Sequence, residues 1–404
     1  MNSLKNELEQ FICLANDVVE MKLVKSEEDF FNDKAIFRPE FTHQLFGQTE
    51  NIFGYKNLRI QLYYSAARLS IYLNHTFTEK IDPTKYDGVQ ADNVIKAIVD
   101  KLEVHPITSK DKFITELAKE SSFRPSGTLL NSYSRTHEGS TSHFEIYKND
   151  MSTPGFREYH ERLQTFLWWF IDAASYIDPD DERWGYYTFF ERQVEGSNTR
   201  YSSVGYITVY KYYAYPDKIR QRISQMLILP PYQRQGHGSE VLETVYRDFI
   251  SDPIVFDITV EDPSDNFVRL RDYIDCKNCK QLPAFQADKL SQGFSHSMEN
   301  EALDKFKIHK KQARRVYEIL RLQATDMSNP KEVKAYRLEI KRRLNIPFQK
   351  QRNELEKLKK VLKPEELTAA MQGVDIQERY ETLEKWYQEV IEEYRKVTAR
   401  LSTI

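Results

Sequence analysis

The sequence predicts an α+β protein with a mixed α/β N-terminal region, a strand-rich middle and a helical C-terminal region. Three observations predict it. The runs W-G-Y-Y-T-F-F-E (Trp184–Glu191) and V-G-Y-I-T-V-Y-K-Y-Y (Val204–Tyr213) are aromatic and β-branched, the composition of half-buried strands. Two further strand-like runs, Gln225–Leu229 and Ile254–Val260, flank a helical stripe at Val241, Leu242, Val245, Tyr246 and Phe249. Beyond residue 286 only Gly293 and Gly373 remain of the glycines, and apolar residues recur at spacings of three and four.

Taken in order, residues 1–120 mix strand-like and helical pieces. Within them Q-L-F-G-Q-T-E-N-I-F-G-Y (Gln44–Tyr55) has two Phe-Gly pairs and reads as an irregular loop held by aromatic anchors. From Phe156 to Ile177 the spacing of Phe156, Tyr159, Leu163, Phe166, Leu167, Phe170 and Ala174 predicts one helix that carries Asp172. Q-V-E-G-S-N-T-R (Gln193–Arg200) reads as the hairpin loop between the two aromatic strands, and Gly238–Ile250 as the helix between the later two. At the end of the chain Ile376, Tyr380, Leu383, Tyr387, Val390, Tyr394, Val397 and Leu401 form a heptad seam. Phe348, Leu355, Leu358 and Leu362 fit the same repeat, and Pro364 and Gly373 between the two segments predict an antiparallel helical hairpin. The expected divisions are 1–120, 121–285 and 286–404.

Length and composition bound the function. A chain of 404 residues corresponds to two or three domains, and 40% hydrophobic with 29% charged residues is a soluble globular composition. No apolar run approaches the roughly 20 residues of a membrane span, and Met1–Gln10 lacks the apolar segment of a secretory leader. The expected location is cytoplasmic and nuclear. The three cysteines, Cys13, Cys276 and Cys279, suit a reducing compartment. Cys276 and Cys279 have no further ligands at zinc-finger spacing, so no metal is expected. The net charge of −3 is uneven: residues 301–404 hold 24 Lys and Arg against 17 Asp and Glu, and residues 1–300 hold 34 against 44. An acidic front disfavours direct nucleic-acid binding and favours a basic ligand. Lys310–Arg315, K-K-Q-A-R-R, reads as the wet face of a helix whose other side carries Ala313, Val316, Tyr317 and Leu320.

The segment richest in chemistry is Ser224–Val245. A strand runs into Q-R-Q-G-H-G (Gln233–Gly238), and a helix starts directly after it. Such a loop can hold a pyrophosphate, because glycines let the backbone approach, successive N–H groups point at the anion, and the helix N-terminus adds partial positive charge. Arg234 could add a charged contact, while His237 reads as a spacer. The loop is neither G-x-x-x-x-G-K-S/T nor G-x-G-x-x-G. Pro230 and Pro231 cannot donate to a neighbouring strand, so the sheet is expected to open there.

This strand, loop and helix resemble the acetyl-coenzyme A motif of the GCN5-related N-acetyltransferase superfamily. The words Q-M-L-I-L-P-P-Y-Q-R-Q-G-H-G, D-I-T-V-E-D-P-S, F-R-E-Y-H-E-R-L-Q-T-F-L, V-Y-K-Y-Y-A-Y-P-D and A-R-R-V-Y-E-I-L-R-L narrow the resemblance to type B histone acetyltransferase catalytic subunits, from about Phe41 to Leu401. The resemblance implies an acetyltransferase core between the two flanking regions. It also implies transfer of acetyl from acetyl-CoA to lysines on the tail of newly made histone four, before chromatin assembly, with a WD-repeat histone chaperone of the retinoblastoma-binding type as partner.

Carried over by position, Met226, Leu227 and Ile228 would contact the acetyl arm. Gln233, Arg234, Gln235, Gly236, His237, Gly238 and Ser239 would hold the pyrophosphate. A lysine ammonium with a pKa near ~10.4 must lose a proton before it attacks a thioester. The resemblance assigns that general base to Glu261, with Asp262 and Asp172 as the other candidate acids; partial desolvation by aromatics would raise such a carboxyl toward the working range. Tail contacts are implied at Gln48, Thr49, Glu50, Trp184, Tyr210, Lys211 and Tyr212, and Lys211, being basic, would need to point away from a basic tail. Two other readings stay open at this level, a non-catalytic histone-binding scaffold and an acetyltransferase for small amines.

Overall fold

The computed structural model describes residues 7–137, 139–196, 198–358 and 376–403. They form two compact units, residues 1–214 with 221–248, and residues 215–220 with 249–404.

In the first unit β1 (Val19–Val24) pairs in parallel with β2 (Arg59–Ser65), which pairs antiparallel with β3 (Ile71–Thr76). Every residue of β1 is buried although it reads V-E-M-K-L-V, so both polar side chains need partners inside. Lys22 Nζ donates to Phe30 O at 2.9 Å and lies 4.8 Å from the Tyr63 ring centroid. Glu20 accepts two bonds from the Arg59 guanidinium at 3.0 and 2.9 Å. Helices α1 (Val94–Leu102) and α2 (Lys110–Leu117) start where Asn93 and Ser109 side chains accept from the N–H groups of Lys96 and Lys112. The expected loop Gln44–Tyr55 contains a short strand, Asn51–Phe53, paired antiparallel with Ile12–Leu14.

The larger sheet is built from β4 (Thr128–His137), β5 (Ser140–Asn149), β6 (Trp184–Glu195), β7 (Asn198–Ala214) and β8 (Lys218–Ile228), each beside the next. The segment expected as a loop over Gln193–Arg200 is mostly strand, because β6 and β7 stay paired out to Glu195 and Asn198. Between β5 and β6 the expected single helix is divided into α3 (Phe156–Leu163), a 3-10 turn (Gln164–Phe166) and a last helical turn (Leu167–Phe170). Trp168 and Trp169 are buried along with the expected positions from Phe156 to Phe170, whereas Ala174 lies beyond the helix and is half-buried. Ile171 is extended and ends the helix, which leaves Asp172 in the turn beyond it.

After β8 comes α4 (His237–Ser251), with Val241, Leu242, Val245, Tyr246 and Phe249 all at most 2% exposed, as the spacing predicts. The β6–β7 ladder slips between Phe189 and Phe190, so that Val204 stands opposite no residue of β6. Its carbonyl instead accepts from Leu229 N at 2.8 Å.

In the second unit β9 (Val255–Val260) follows Ile254, whose carbonyl accepts from Ile219 N at 2.9 Å, and Asp257 takes a two-pronged pair from Arg220 at 2.6 and 2.8 Å. Its described residues beyond β9 include the helices α5 (Asp265–Cys279), α6 (His296–Phe306), α7 (Lys310–Ala324), α8 (Pro330–Leu344), α9 (Ile346–Leu358) and α10 (Ile376–Leu401). Cys276 and Cys279 are fully buried in this helical core, and burial pushes both thiols well up. Ala313, Val316, Tyr317 and Leu320 form the buried side of α7, as the sequence predicts.

The seam of α10 departs from the heptad. Leu383, Tyr387, Tyr394, Val397 and Leu401 are buried, but Tyr380 is 62% exposed and Ile391 is buried in addition to the expected positions. This helix meets α5, α7 and α8, with Arg269 to Glu393 at 2.8 Å, Tyr394 OH to Glu318 at 2.8 Å and Arg337 to Glu384 at 3.1 Å, so its apolar surface is wider than a two-helix seam. Phe348 of α9 lies 5.4 Å from Trp386, centroid to centroid. Leu362, Pro364 and Gly373, expected at the turn of a hairpin, lie outside the described residues, as do the side chains of Leu355, Leu358 and Ile376.

Candidate active site

The loop after β8 is shaped by two left-handed residues, Arg234 at φ 61° and Gly236 at φ 86°. Such alternation turns consecutive N–H groups toward one side, and Glu240 N bonds back to Gly236 O at 3.5 Å as α4 begins. Gln233 and Gln235 brace the loop rather than reaching outward, donating to Ile228 O at 2.9 Å and Pro231 O at 3.0 Å. The side chain of His237 turns inward. It is 1% exposed, its ring centroid lies 4.3 Å from that of Phe144, Tyr133 OH is 3.0 Å from its Nδ1, and burial pushes its pKa down to about 4. Only its main chain can face an anion, which sharpens the expectation of a spacer: it is the anchor of the loop.

Beneath the loop Tyr232 OH donates to Glu191 Oε2 at 2.9 Å, and Lys25 Nζ reaches the same oxygen at 2.8 Å. Burial pushes the Glu191 carboxyl up, but the Lys25 charge and these hydrogen bonds outweigh it and hold the group below the usual carboxylate range. Sequence reasoning missed Glu191 and also Arg135, whose Nε would stand 3.7 Å from a Cβ built on Gly236 and whose guanidinium pairs with Glu240 at 2.9 Å. The fit to a pyrophosphate therefore rests on a glycine cradle, the N-terminus of α4 and two nearby guanidiniums, those of Arg135 and Arg234.

On β8 the burial alternates. Leu227 is 5% exposed while Met226 and Ile228 are half-buried on the other face, so the Leu227 side chain belongs to the core and only its main chain could serve a ligand. Gly205 lies against it: a Cβ there would stand 2.0 Å from Leu227 O.

The acids fall in two places. Asp172 and Glu50, assigned different roles from the sequence, are joined by His43, whose Nε2 is 3.0 Å from Asp172 Oδ1 and whose Nδ1 is 3.7 Å from Glu50 Oε1. Glu50 accepts from Thr42 N at 2.7 Å and His43 N at 3.0 Å, and these amides, the first above all, hold its carboxyl below the usual range. Its neighbours Gln48 and Thr49 are exposed on the turn that Gly47 opens at φ 79°. Nothing in the sequence singles out His43, seven residues from one partner and 129 from the other. Glu261 and Asp262 lie in the second unit, just beyond β9, both exposed, and Asp262 has φ 30°. The aromatic enclosure expected to desolvate Glu261 is not formed around an exposed side chain.

Trp184 and Tyr210 are directly opposed in the β6–β7 ladder with ring centroids 4.9 Å apart, and Tyr212 follows at 4.6 Å. Tyr210 OH donates to Asp181 Oδ2 at 3.2 Å, and hydrogen bonds from Arg183 hold the Asp181 carboxyl down at about 2. Trp184 also lines a recess of about 520 Å³ with Asp150, Asp180, Asp181 and Glu182. Lys211 lines that recess too, so it does not turn away from the site as expected.

Among the described residues no cluster of potential metal ligands occurs, and no helix is long and apolar enough to cross a membrane. Residues 11–172 match the family described as "Histone acetyl transferase HAT1 N-terminus", and residues 271–322 match "Histone acetyltransferase type B catalytic subunit, C-terminal". The histone acetyltransferase type B catalytic subunits of Mus musculus and Homo sapiens are each 49% identical over 403 residues, 99% of this chain and 97% and 96% of theirs. That of a Cryptococcus neoformans strain is 31% identical over 96% of this chain and 98% of its own length. The chain therefore belongs to the family of histone acetyltransferase type B catalytic subunits and is an acetyltransferase.

Proposed function

We propose that this acetyltransferase moves acetyl from acetyl-CoA to lysines of the histone four N-terminal tail, before the histone is assembled into chromatin. The observation that carries the reading is the left-handed loop Arg234–Gly236 at the head of α4, a main-chain cradle for an anion. In support stand the opposed Trp184 and Tyr210 beside an acidic recess, a surface suited to the aliphatic stem and charge of a basic tail. Loop amides would bind the pyrophosphate, and main-chain groups of Met226–Ile228 would orient the thioester; preorganised donors of this kind are worth about 3 kcal/mol. The neutral lysine nitrogen attacks the thioester carbonyl, the C–N bond forms, the C–S bond breaks, and coenzyme A leaves as the thiol.

Glu261 is proposed as the acceptor of the ammonium proton. Its exposure means that desolvation would have to come from the arriving substrate. Glu50 and Asp172, tied through His43, are proposed to face the tail's positive charge rather than the reacting nitrogen. A WD-repeat histone chaperone of the retinoblastoma-binding type is proposed as partner, with residence in cytosol and nucleus, and the division 1–120, 121–285 and 286–404 is kept as a proposal about roles.

The test is transfer of labelled acetyl to a histone-four tail peptide, with spermidine as competitor. Transfer abolished in Glu261→Gln and indifferent to spermidine is expected. Equal transfer in Glu261→Gln contradicts the base, and preference for spermidine contradicts the substrate. Gly236→Asp, which sets a carboxylate on the cradle, should weaken acetyl-CoA binding at least tenfold by calorimetry; unchanged affinity refutes the cradle.

A further inference from the structure

The helical unit has a second feature that acetyl transfer does not use. Between α8 and the start of α10 lies a groove of about 690 Å³. Its floor is apolar: Val333, Leu338, Tyr380 and Leu383, of which Leu338 is 43% and Tyr380 62% exposed. Single exposed apolar side chains are ordinary, but these two open onto one groove, and shared apolar surface inside a polar rim is the pattern of an interaction site.

The rim is basic. Lys334, Arg337, Lys341, Arg342 and Arg379 line the groove, and no acid does among the described lining residues. Glu384 of α10 answers Arg337 at 3.1 Å and also pairs with Lys341. Arg379 spends its donors on a neutral acceptor, Asn345 Oδ1, at 3.0 and 2.7 Å. Lys334 and Arg342 have no carboxylate within ion-pair distance among the described residues. Helix spacing puts Lys334, Leu338 and Arg342 on one stripe, so that a cation stands one turn to either side of the exposed leucine.

We propose that this groove docks an acidic amphipathic helix of a partner protein, its apolar residues seated between Leu338 and Tyr380 and its carboxylates on Lys334, Arg342 and Arg379. The apolar floor decides for a peptide over a nucleic acid: a phosphate backbone would use the cations and leave Leu338 and Tyr380 without a partner, whereas an amphipathic helix uses both.

The test uses the full chain and a fluorescent 18-residue probe peptide, with Leu and Phe at alternating spacings of three and four and Glu elsewhere. A scrambled peptide of the same composition and a DNA duplex serve as competitors. Expected is saturable binding by anisotropy, weakened at least tenfold by Leu338→Ser and by Lys334→Glu with Arg342→Glu. Thermal midpoint and acetyl transfer should be unchanged in both variants, since the altered side chains are exposed. Equal binding of the scrambled peptide, indifference to the variants, or displacement by the duplex in place of the scrambled peptide overturns the proposal. Concentration-dependent self-association that Leu338→Ser abolishes also overturns it, because the occupant is then a second copy of the chain.

Discussion

Gly205→Ala concentrates the account into one methyl group. The added Cβ would stand 2.0 Å from Leu227 O and 3.1 Å from Ile228 Cα, where ordinary contact begins near 3.4 Å. Both neighbours are main chain, so relief requires β7 and β8 to part by more than 1 Å at the residues proposed to orient the thioester. Overpacking of this kind costs ~1–3 kcal/mol of stability, and a displacement of ~1 Å at a reacting centre costs ~100-fold in rate. A domain with the usual margin of ~5–15 kcal/mol stays folded at 25 °C. Activity and stability can therefore be read separately. The assay is kcat/KM for acetyl transfer beside a urea melt, with Gly185→Ala as control, because a Cβ there meets nothing closer than 3.9 Å. Expected is a loss of ~100-fold in kcat/KM for Gly205→Ala, on the same reasoning about ~1 Å displacements, and almost none for Gly185→Ala. Wild-type kcat/KM in Gly205→Ala would refute the claim that this strand contact positions the donor.

Other expectations follow from the same geometry. Glu318 is 0% exposed and accepts from Arg343 at 2.6 Å and Tyr394 OH at 2.8 Å; Glu318→Ala strands those donors and should cost ~3–5 kcal/mol by urea titration, whereas a loss below ~1 kcal/mol would contradict the assignment. Burial pushes His160, His237 and His309 down to about 4, against ~6.5 in the unfolded chain. Between those values the unfolded chain binds more protons, so stability should fall as pH drops from ~6.5 toward 4, by up to ~1.4 kcal/mol per pH unit for each histidine. His237→Gln should flatten that slope by one proton, and parallel slopes for variant and wild type would count against its burial as the neutral form. Glu50→Ala leaves the Thr42 and His43 amides unanswered; KM for the tail peptide should rise several-fold with kcat little changed, and an unmoved KM removes Glu50 from tail binding.

Much of this was legible because it is local in sequence. The strand, loop and helix around Gln233–Gly238 announce themselves by glycine spacing and an apolar stripe, and α4 begins within one residue of the expected start. What was not legible depends on distant partners. His43 matters only because folding sets it between Glu50 and Asp172, and Glu191 only because Lys25 and Tyr232 converge on it. Gly205 looked like one more residue of a strand until Leu227 lay against it. The α10 seam was half read: a strict heptad places Tyr380 inside and ignores Ile391, but a straight helix drifts from that repeat, and three neighbouring helices rather than one decide which side is covered. Likewise the Phe156–Ile177 stripe is buried as far as Phe170, yet periodicity alone could not show that the helix would break at Gln164–Phe166 and leave Asp172 beyond its end.

Determining the structure with acetyl-CoA bound tests the central claim most directly. The account expects pyrophosphate oxygens within hydrogen-bonding distance of main-chain N–H groups between Arg234 and Ser239, and the thioester beside Met226–Ile228. A cofactor bound elsewhere, or held at this loop by side chains alone while those amides face away, would contradict it.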